Sequence, residues 1–167
     1  PGAGVAAMAA SRRNIDYILK NMFPMIISFD KLNQVRHIRF LKDMDGLAAH
    51  MEKHRALLEP KFRAVLAILD EGLSGCGSIA RWTKPNGGYF LSLYTLGGCA
   101  KRTVQLCREA GVVLTDAGAA YPYGVDPQDS NIRIAPTFPP LDELETASRL
   151  LCVCVRIATL EKLLQRQ

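Results

Sequence analysis

The five residues Lys84-Pro85-Asn86-Gly87-Gly88 constrain this chain's fold more than any other stretch. Pro presets one turn dihedral, and Asn followed by Gly supplies the left-handed backbone that a tight reversal needs. The flanking residues 78–82 and 89–93 are β-like, so the sequence predicts an antiparallel hairpin. Two strands alone are marginal in water. Their apolar face must be covered by the periodic segments before and after.

Those segments are mostly helical in pattern. Ser11 reads as an N-cap ahead of Ile15, Ile18, Leu19 and Met22, and Pro24 ends that helix. Asp30 precedes Leu32, Val35 and Ile38, with Lys31, Arg36, His37 and Arg39 on the polar side of a second helix. From Gly46 runs the longest pattern, with Leu58, Phe62, Val65, Leu66, Leu69 and Leu73 on one stripe that Gly72 and Gly75 end. Pro60 lies inside it, which predicts a kink or two consecutive helices. Residues 4–10 fit a buried strand and residues 25–29 a brief extended piece.

After the hairpin, residues 100–110 read as a helix with Val104 and Cys107 inward and Gly111 as its stop. A short strand over 112–114, an aperiodic loop over 115–130 and a strand over 131–135 follow. Pro139-Pro140 then opens a last helix with Asp142, Glu143 and Glu145 in its first turns and Lys162 near its end. The expected architecture is α/β in the broad sense, and α+β in this portion: helices packed on one face of a small, mainly antiparallel sheet.

Composition narrows the function classes. With 167 residues, 49% apolar and 22% charged, the chain can build one sizeable core or two small ones. A net charge of +5 is spread along the sequence without a basic run interleaved with aromatics, so nucleic-acid binding is not expected of this segment. Five cysteines without a Cys-x-x-Cys suggest neither a disulfide framework nor a zinc site, which makes a reducing, cytoplasmic setting the default. No apolar run reaches the length of a membrane span.

The strongest candidate for chemistry is Arg133. In Asn131-Ile-Arg-Ile-Ala, alternation puts Ile132 and Ile134 on one strand face and Asn131, Arg133 and Ala135 on the other. A guanidinium so mounted offers a planar fork for a carboxylate. Most strand arginines are solvated or ion-paired surface residues, so this position alone does not establish a site. His50 and His54 are four apart on a helix, yet His-Met-Glu-Lys-His lacks the Glu placement of a metalloprotease helix, so packing or surface histidines are expected and no metal ligand is assigned. The segment Thr95-Leu-Gly-Gly-Cys-Ala-Lys101-Arg102 has the wrong glycine spacing for a phosphate loop.

Four pieces in order carry a resemblance: Pro1-Gly-Ala-Gly-Val-Ala, Trp82-x-x-Pro-x-Gly-Gly-Tyr-Phe-Leu, Ala110-Gly-Val-Val-Leu-Thr with the segment from Gly118 to Tyr123, and Asn131-Ile-Arg-Ile-Ala. Together they resemble the C-terminal portion of a fold-type I pyridoxal-phosphate aminotransferase of class I/II. Lys31-Leu-Asn-Gln-Val-Arg-His and His54-Arg-x-Leu-Leu-Glu-Pro-Lys-Phe resemble its aspartate-aminotransferase-like branch of MocR type.

The resemblance implies the pyridoxal-phosphate transferase fold, with residues 1–30 ending the large cofactor domain and residues 31–167 forming the small domain. It implies transfer of an amino group between an amino acid, aspartate-like among the options, and a 2-oxo acid, by a cytoplasmic homodimer. Arg133 matches the family Arg for the substrate carboxylate, and Gly87 and Gly88 match a glycine pair that lets backbone approach the active site. A cleft lined by the Gly87 turn and the Gly118 loop is the place expected for the Arg133 guanidinium. Lys31 and Asn33 fall near the region that reaches toward a partner's substrate. The family's Schiff-base Lys lies just before Pro-Gly, so no catalytic residue is expected from Pro1 onward and the 167 residues by themselves are expected to be inactive. Gly4 stands where many members carry a phosphate-binding Arg, which leaves Ser11 and Asn14 at a helix N-terminus as the cofactor-phosphate candidates. The rival readings are the aminotransferase-like sensing domain of a MocR/GntR-type transcription regulator and a degenerate dimerisation module.

Overall fold

The computed structural model describes residues 4–26 and 28–165; Pro1 to Ala3 of the first family-like piece, and Ile27 within the expected extended piece at 25–29, lie outside the described residues. Among the described residues five α-helices and three strands follow in the order α1 (Arg12–Met22), α2 (Lys31–Leu41), α3 (Met44–Leu73), β1 (Ala80–Trp82), β2 (Leu91–Thr95), α4 (Ala100–Glu109), β3 (Asn131–Ile134) and α5 (Leu141–Leu164). The chain divides into two compact units, one up to Arg55 and one from Ala56 onward.

In the first unit the helix starts are set by local side chains. The Ser11 hydroxyl accepts from the Asn14 amide at 3.4 Å and opens α1. Asp30 accepts from the Asn33 amide at 2.9 Å and opens α2. Asp43 does the same for α3, accepting from the Gly46 amide at 2.8 Å. Residues 4–10 form no strand, in contrast to the sequence expectation. A run of Gly and Ala offers little side chain to pack on a neighbouring strand, and the segment stays irregular.

The second unit has the core. Leu91 and Leu93 of β2 and Ile132 and Ile134 of β3 meet Val65, Ile68, Leu69 and Leu73 of α3, Val104 and Cys107 of α4, and Leu144, Leu151 and Val155 of α5. The sheet order is β1-β2-β3, antiparallel throughout, so β3 is an edge strand. Leu91 stands opposite Ile134 and Ser92 opposite Arg133. That register sends the isoleucines to the core and Arg133 to the opposite face, as the alternation requires.

Two expectations change here. Of a kink or two consecutive helices at Pro60, the second is not found: residues 44–73 are one helix. One missing N–H removes the donor to the Ala56 carbonyl, and the turns on either side still carry the helix. Residues 112–114 form no strand. The Val112 amide is taken by the Cys107 carbonyl at 2.8 Å as the chain leaves α4, so the ladder on β3 is not extended. Gly111, at φ +90°, makes that exit possible.

The start of α4 is capped from a distance. Cys99, its N-cap residue, makes no side-chain cap bond. The Asp129 carbonyl instead accepts from the amides of Gly98, Cys99 and Ala100 at 3.0–3.1 Å, and its carboxylate accepts from the Lys101 amide at 3.0 Å. Asp129 adopts φ +46° to do so. From the first turn of α4, Arg102 donates to both carboxylate oxygens of Glu161 on α5, at 2.7 and 2.9 Å.

Candidate substrate-carboxylate site

Arg133 is half-buried on the non-core face of β3, and its Nε is buried without a hydrogen-bond partner. Its Cζ lies 4.7 Å from the centre of the Phe90 ring. No carboxylate among the described residues pairs with it. A charged fork held against an aromatic face, with one donor buried and unspent, is arranged to receive an anion. A planar carboxylate suits that fork best.

Phe90, the aromatic neighbour of Arg133, is a candidate that the sequence reading passed over. Period-two alternation could have found it, because Phe90 shares a face with Ser92, and Ser92 faces Arg133 across the ladder. Arg133 also lines a cleft of about 540 Å³ with Val112, Leu114, Thr115, Asp142 and Thr146. That volume is in the range of small-molecule sites. This cleft is walled by the exit from α4 and the start of α5, and neither the Gly87 turn nor the Gly118 segment contributes to its lining.

The turn residues Gly87 and Gly88 are exposed, and a Cβ at either would meet nothing within 4 Å. Gly88 is required by its backbone, at φ +92°. The register places the turn end of the hairpin beside the C-terminal end of β3, where Phe90 reaches Arg133. Gly118 is the tighter position: a Cβ there would approach the Gly124 carbonyl oxygen to 2.6 Å.

The remaining candidates belong to the first unit. Lys31 is exposed at the start of α2. Asn33 is buried, donates from Nδ2 to the Gly4 carbonyl at 3.0 Å and keeps an unpartnered Oδ1. Ser11 and Asn14 form the exposed N-terminus of α1, joined by the capping bond. His50 and His54 bring their Nε2 atoms to 3.1 Å, and the Phe40 ring packs edge-on against His50. Among the described residues no group of three or more His, Cys, Asp or Glu side chains could hold a metal ion.

The strand carrying Arg133 is fixed at its entrance by Asp126. Its Oδ2 accepts from the amides of Ser130 at 2.7 Å and Asn131 at 2.8 Å, and Oδ1 accepts from the Gln128 amide at 2.9 Å. Burial pushes the Asp126 carboxyl up, but the bonds from Ser130, Asn131 and Gln128 outweigh it and hold the group below its ordinary value.

The family model for aspartate aminotransferase matches residues 1–167. The chain belongs to the aspartate aminotransferase family. A protein of Mycolicibacterium smegmatis named as an aminotransferase is 49% identical over 163 residues, which are 98% of this chain and 38% of that relative. An aspartate aminotransferase of Corynebacterium glutamicum is 43% identical over 160 residues, 96% of this chain and 37% of its own length. A solved aspartate transaminase from the same organism superposes with a TM-score of 0.81 at 43% identity, over 91% of this chain and 36% of that one. The α-aminoadipate aminotransferase of Thermus thermophilus, complexed with N-(5'-phosphopyridoxyl)-L-leucine, shares the fold at a TM-score of 0.69 and 18% identity, over 90% of this chain and 37% of its own. The chain thus spans somewhat more than a third of the length of the relatives it matches. The fold is that of the pyridoxal-phosphate-dependent aminotransferases, with this portion built as helices on a three-stranded antiparallel sheet. Among the described residues no helix is long and apolar enough to cross a membrane.

Proposed function

We propose that Arg133 binds the α-carboxylate of an amino acid, and of the matching 2-oxo acid, in a pyridoxal-phosphate-dependent transamination carried out by the protein that contains this chain. The observation that carries the reading is the buried, unpartnered Nε of a guanidinium stacked on Phe90. Membership of the aspartate aminotransferase family supports the reaction class, and the C. glutamicum relatives support a dicarboxylic amino acid such as aspartate. The pyridoxyl derivative bound by the T. thermophilus enzyme supports the cofactor.

The donors at the start of α1 fit a phosphate. The Ser11 oxygen accepts from the Asn14 amide, which leaves its own O–H free to donate beside the first-turn amides and Arg13. Ser11 and Asn14 would hold the cofactor's phosphate end, and pyridoxal phosphate when bound supplies the electron sink for labilising a bond at Cα. Arg133 grips the carboxylate through two parallel bonds and so fixes which Cα bond is presented for cleavage. Phe90 covers one face of the guanidinium and keeps water from it, which strengthens that grip.

Residues 1–30 as the end of the large domain and 31–167 as the small domain, with Gly87, Gly88, Lys31 and Asn33 near substrate, complete the reading. A homodimer is supported by the exposed apolar side chains of the first unit, Tyr17, Phe23, Leu32 and Phe40 among them. Five cysteines outside any disulfide fit a reducing cytoplasm. The test is Arg133→Lys in the full-length protein, assayed with an amino acid and with the corresponding amine lacking the carboxylate. Without the two-bond grip, kcat/KM is expected to fall about a hundredfold more for the amino acid than for the amine. Equal falls for both would exclude a carboxylate role.

A further inference from the structure

We propose that Asp126 and Lys61 are positioning residues for Arg133, acting as two charged clamps of opposite sign at the two ends of β3. This rests on the reading of Arg133 as the carboxylate binder. Asp126 takes the amides that lead into the strand, those of Ser130 and Asn131, and also accepts from the Ser130 hydroxyl at 3.3 Å. Lys61 takes the carbonyls that lead out of it. Its Nζ donates to Thr137 O at 2.9 Å and to Pro139 O at 2.6 Å, reaching from α3 across 76 and 78 positions of sequence.

The need for clamps follows from the strand itself. β3 has four residues and sits at the edge of the sheet, with a hydrogen-bonded ladder on one side only. A slip of one residue would turn Arg133 into the core and bring Ile132 and Ile134 out. The segment that follows contains Pro136, Pro139 and Pro140, none of which has an N–H to anchor it. Donors for its carbonyls must therefore come from elsewhere, and Lys61 supplies them. Upstream the shortage is of acceptors for the amides at the strand entrance, and the Asp126 carboxylate meets it. A negative clamp for amides and a positive clamp for carbonyls fix both ends of the segment that carries the fork.

The experiment compares Asp126→Asn, Lys61→Met, Lys61→Arg and Arg133→Lys in the full-length protein, with KM, kcat and thermal midpoint measured for each. Loss of either clamp is expected to raise KM for the amino acid about tenfold, with kcat changed less, because the carboxylate is bound by a fork out of place. Lys61→Arg, which still donates to two carbonyls, is expected to bring KM back toward wild type. If Asp126→Asn and Lys61→Met lower the thermal midpoint but leave KM where it was, while Arg133→Lys raises KM, the clamps hold the fold and the inference is overturned. If Arg133→Lys also leaves KM unchanged, the carboxylate reading and the inference fall together. Should Asp126→Asn not fold, the Lys61→Met and Lys61→Arg pair decides.

Discussion

The two compact units differ in what holds them. From Ala56 onward the chain buries an apolar cluster drawn from three helices and two strands, with Val65, Leu69, Leu93, Ile132 and Val155 wholly shielded from solvent. Among the described residues up to Arg55 only Asn33 is buried. Leu32 of the same helix is 81% exposed and Met25 is 80% exposed. Amphipathic periodicity is present in both, so the pattern tells which face of a helix is apolar and not whether this chain covers it. Local capping shapes the first unit, and packing shapes the second.

The largest effect that can break this contrast is a cavity. Leu93→Ala is expected to cost about 2–5 kcal/mol in urea unfolding, whereas Leu32→Ala should stay within about 0.5 kcal/mol. Comparable losses at both positions would mean that the first unit has a core after all. Next come two glycines. At Gly72 a Cβ would meet Cys152 Cβ and Sγ at 2.9 Å, so Gly72→Ala overpacks the α3–α5 interface and should cost about 1–3 kcal/mol. At Gly46 a Cβ would collide with the Leu41 carbonyl oxygen, so Gly46→Ala should change circular dichroism from the α2–α3 junction more than it changes the unfolding midpoint.

A smaller effect comes from pH. The Asp126 carboxyl is held below its ordinary value in the folded chain, so the stability it contributes is fully present above about pH 4 and is lost as pH falls through the folded value. Asp126→Asn should therefore flatten the acid limb of a stability-versus-pH curve and lower the plateau at neutral pH. A parallel displacement at all pH values would assign the effect to something other than this carboxylate. Smallest of all should be Glu161→Gln. The Arg102 bond holds Glu161 below its ordinary value, but the pair is partly exposed and screened, and 1 M salt should remove most of any difference from wild type.

Much of this was legible because it is local. Ser11 and Asp30 cap helices three residues away from the amides they serve. The Pro-Asn-Gly-Gly reversal joins neighbouring strands, and the alternation at 131–134 alone sets Arg133 on the face opposite the core. What escaped the sequence is non-local. Asp129 caps a helix whose Lys101 amide lies 28 residues earlier in the chain, and Lys61 holds carbonyls 76 and 78 residues away. No periodicity encodes such bonds. The strand expected at 112–114 failed for a related reason: β propensity was present, but the Cys107 carbonyl competed for the amide that would have begun it. Asp126-Pro127 did carry a usable signal, since an Asp ahead of a turn accepts amides two residues on and beyond.

The most direct measurement is a crystal structure of the full-length protein with a bound 2-oxo acid or unreactive amino-acid analogue. The expected result is one carboxylate of the ligand on the Arg133 guanidinium through two hydrogen bonds of about 2.7–2.9 Å, with the Phe90 ring still beneath it. A ligand carboxylate held by other residues, with Arg133 stacked on Phe90 and out of its reach, would contradict the assignment of Arg133 as the carboxylate binder.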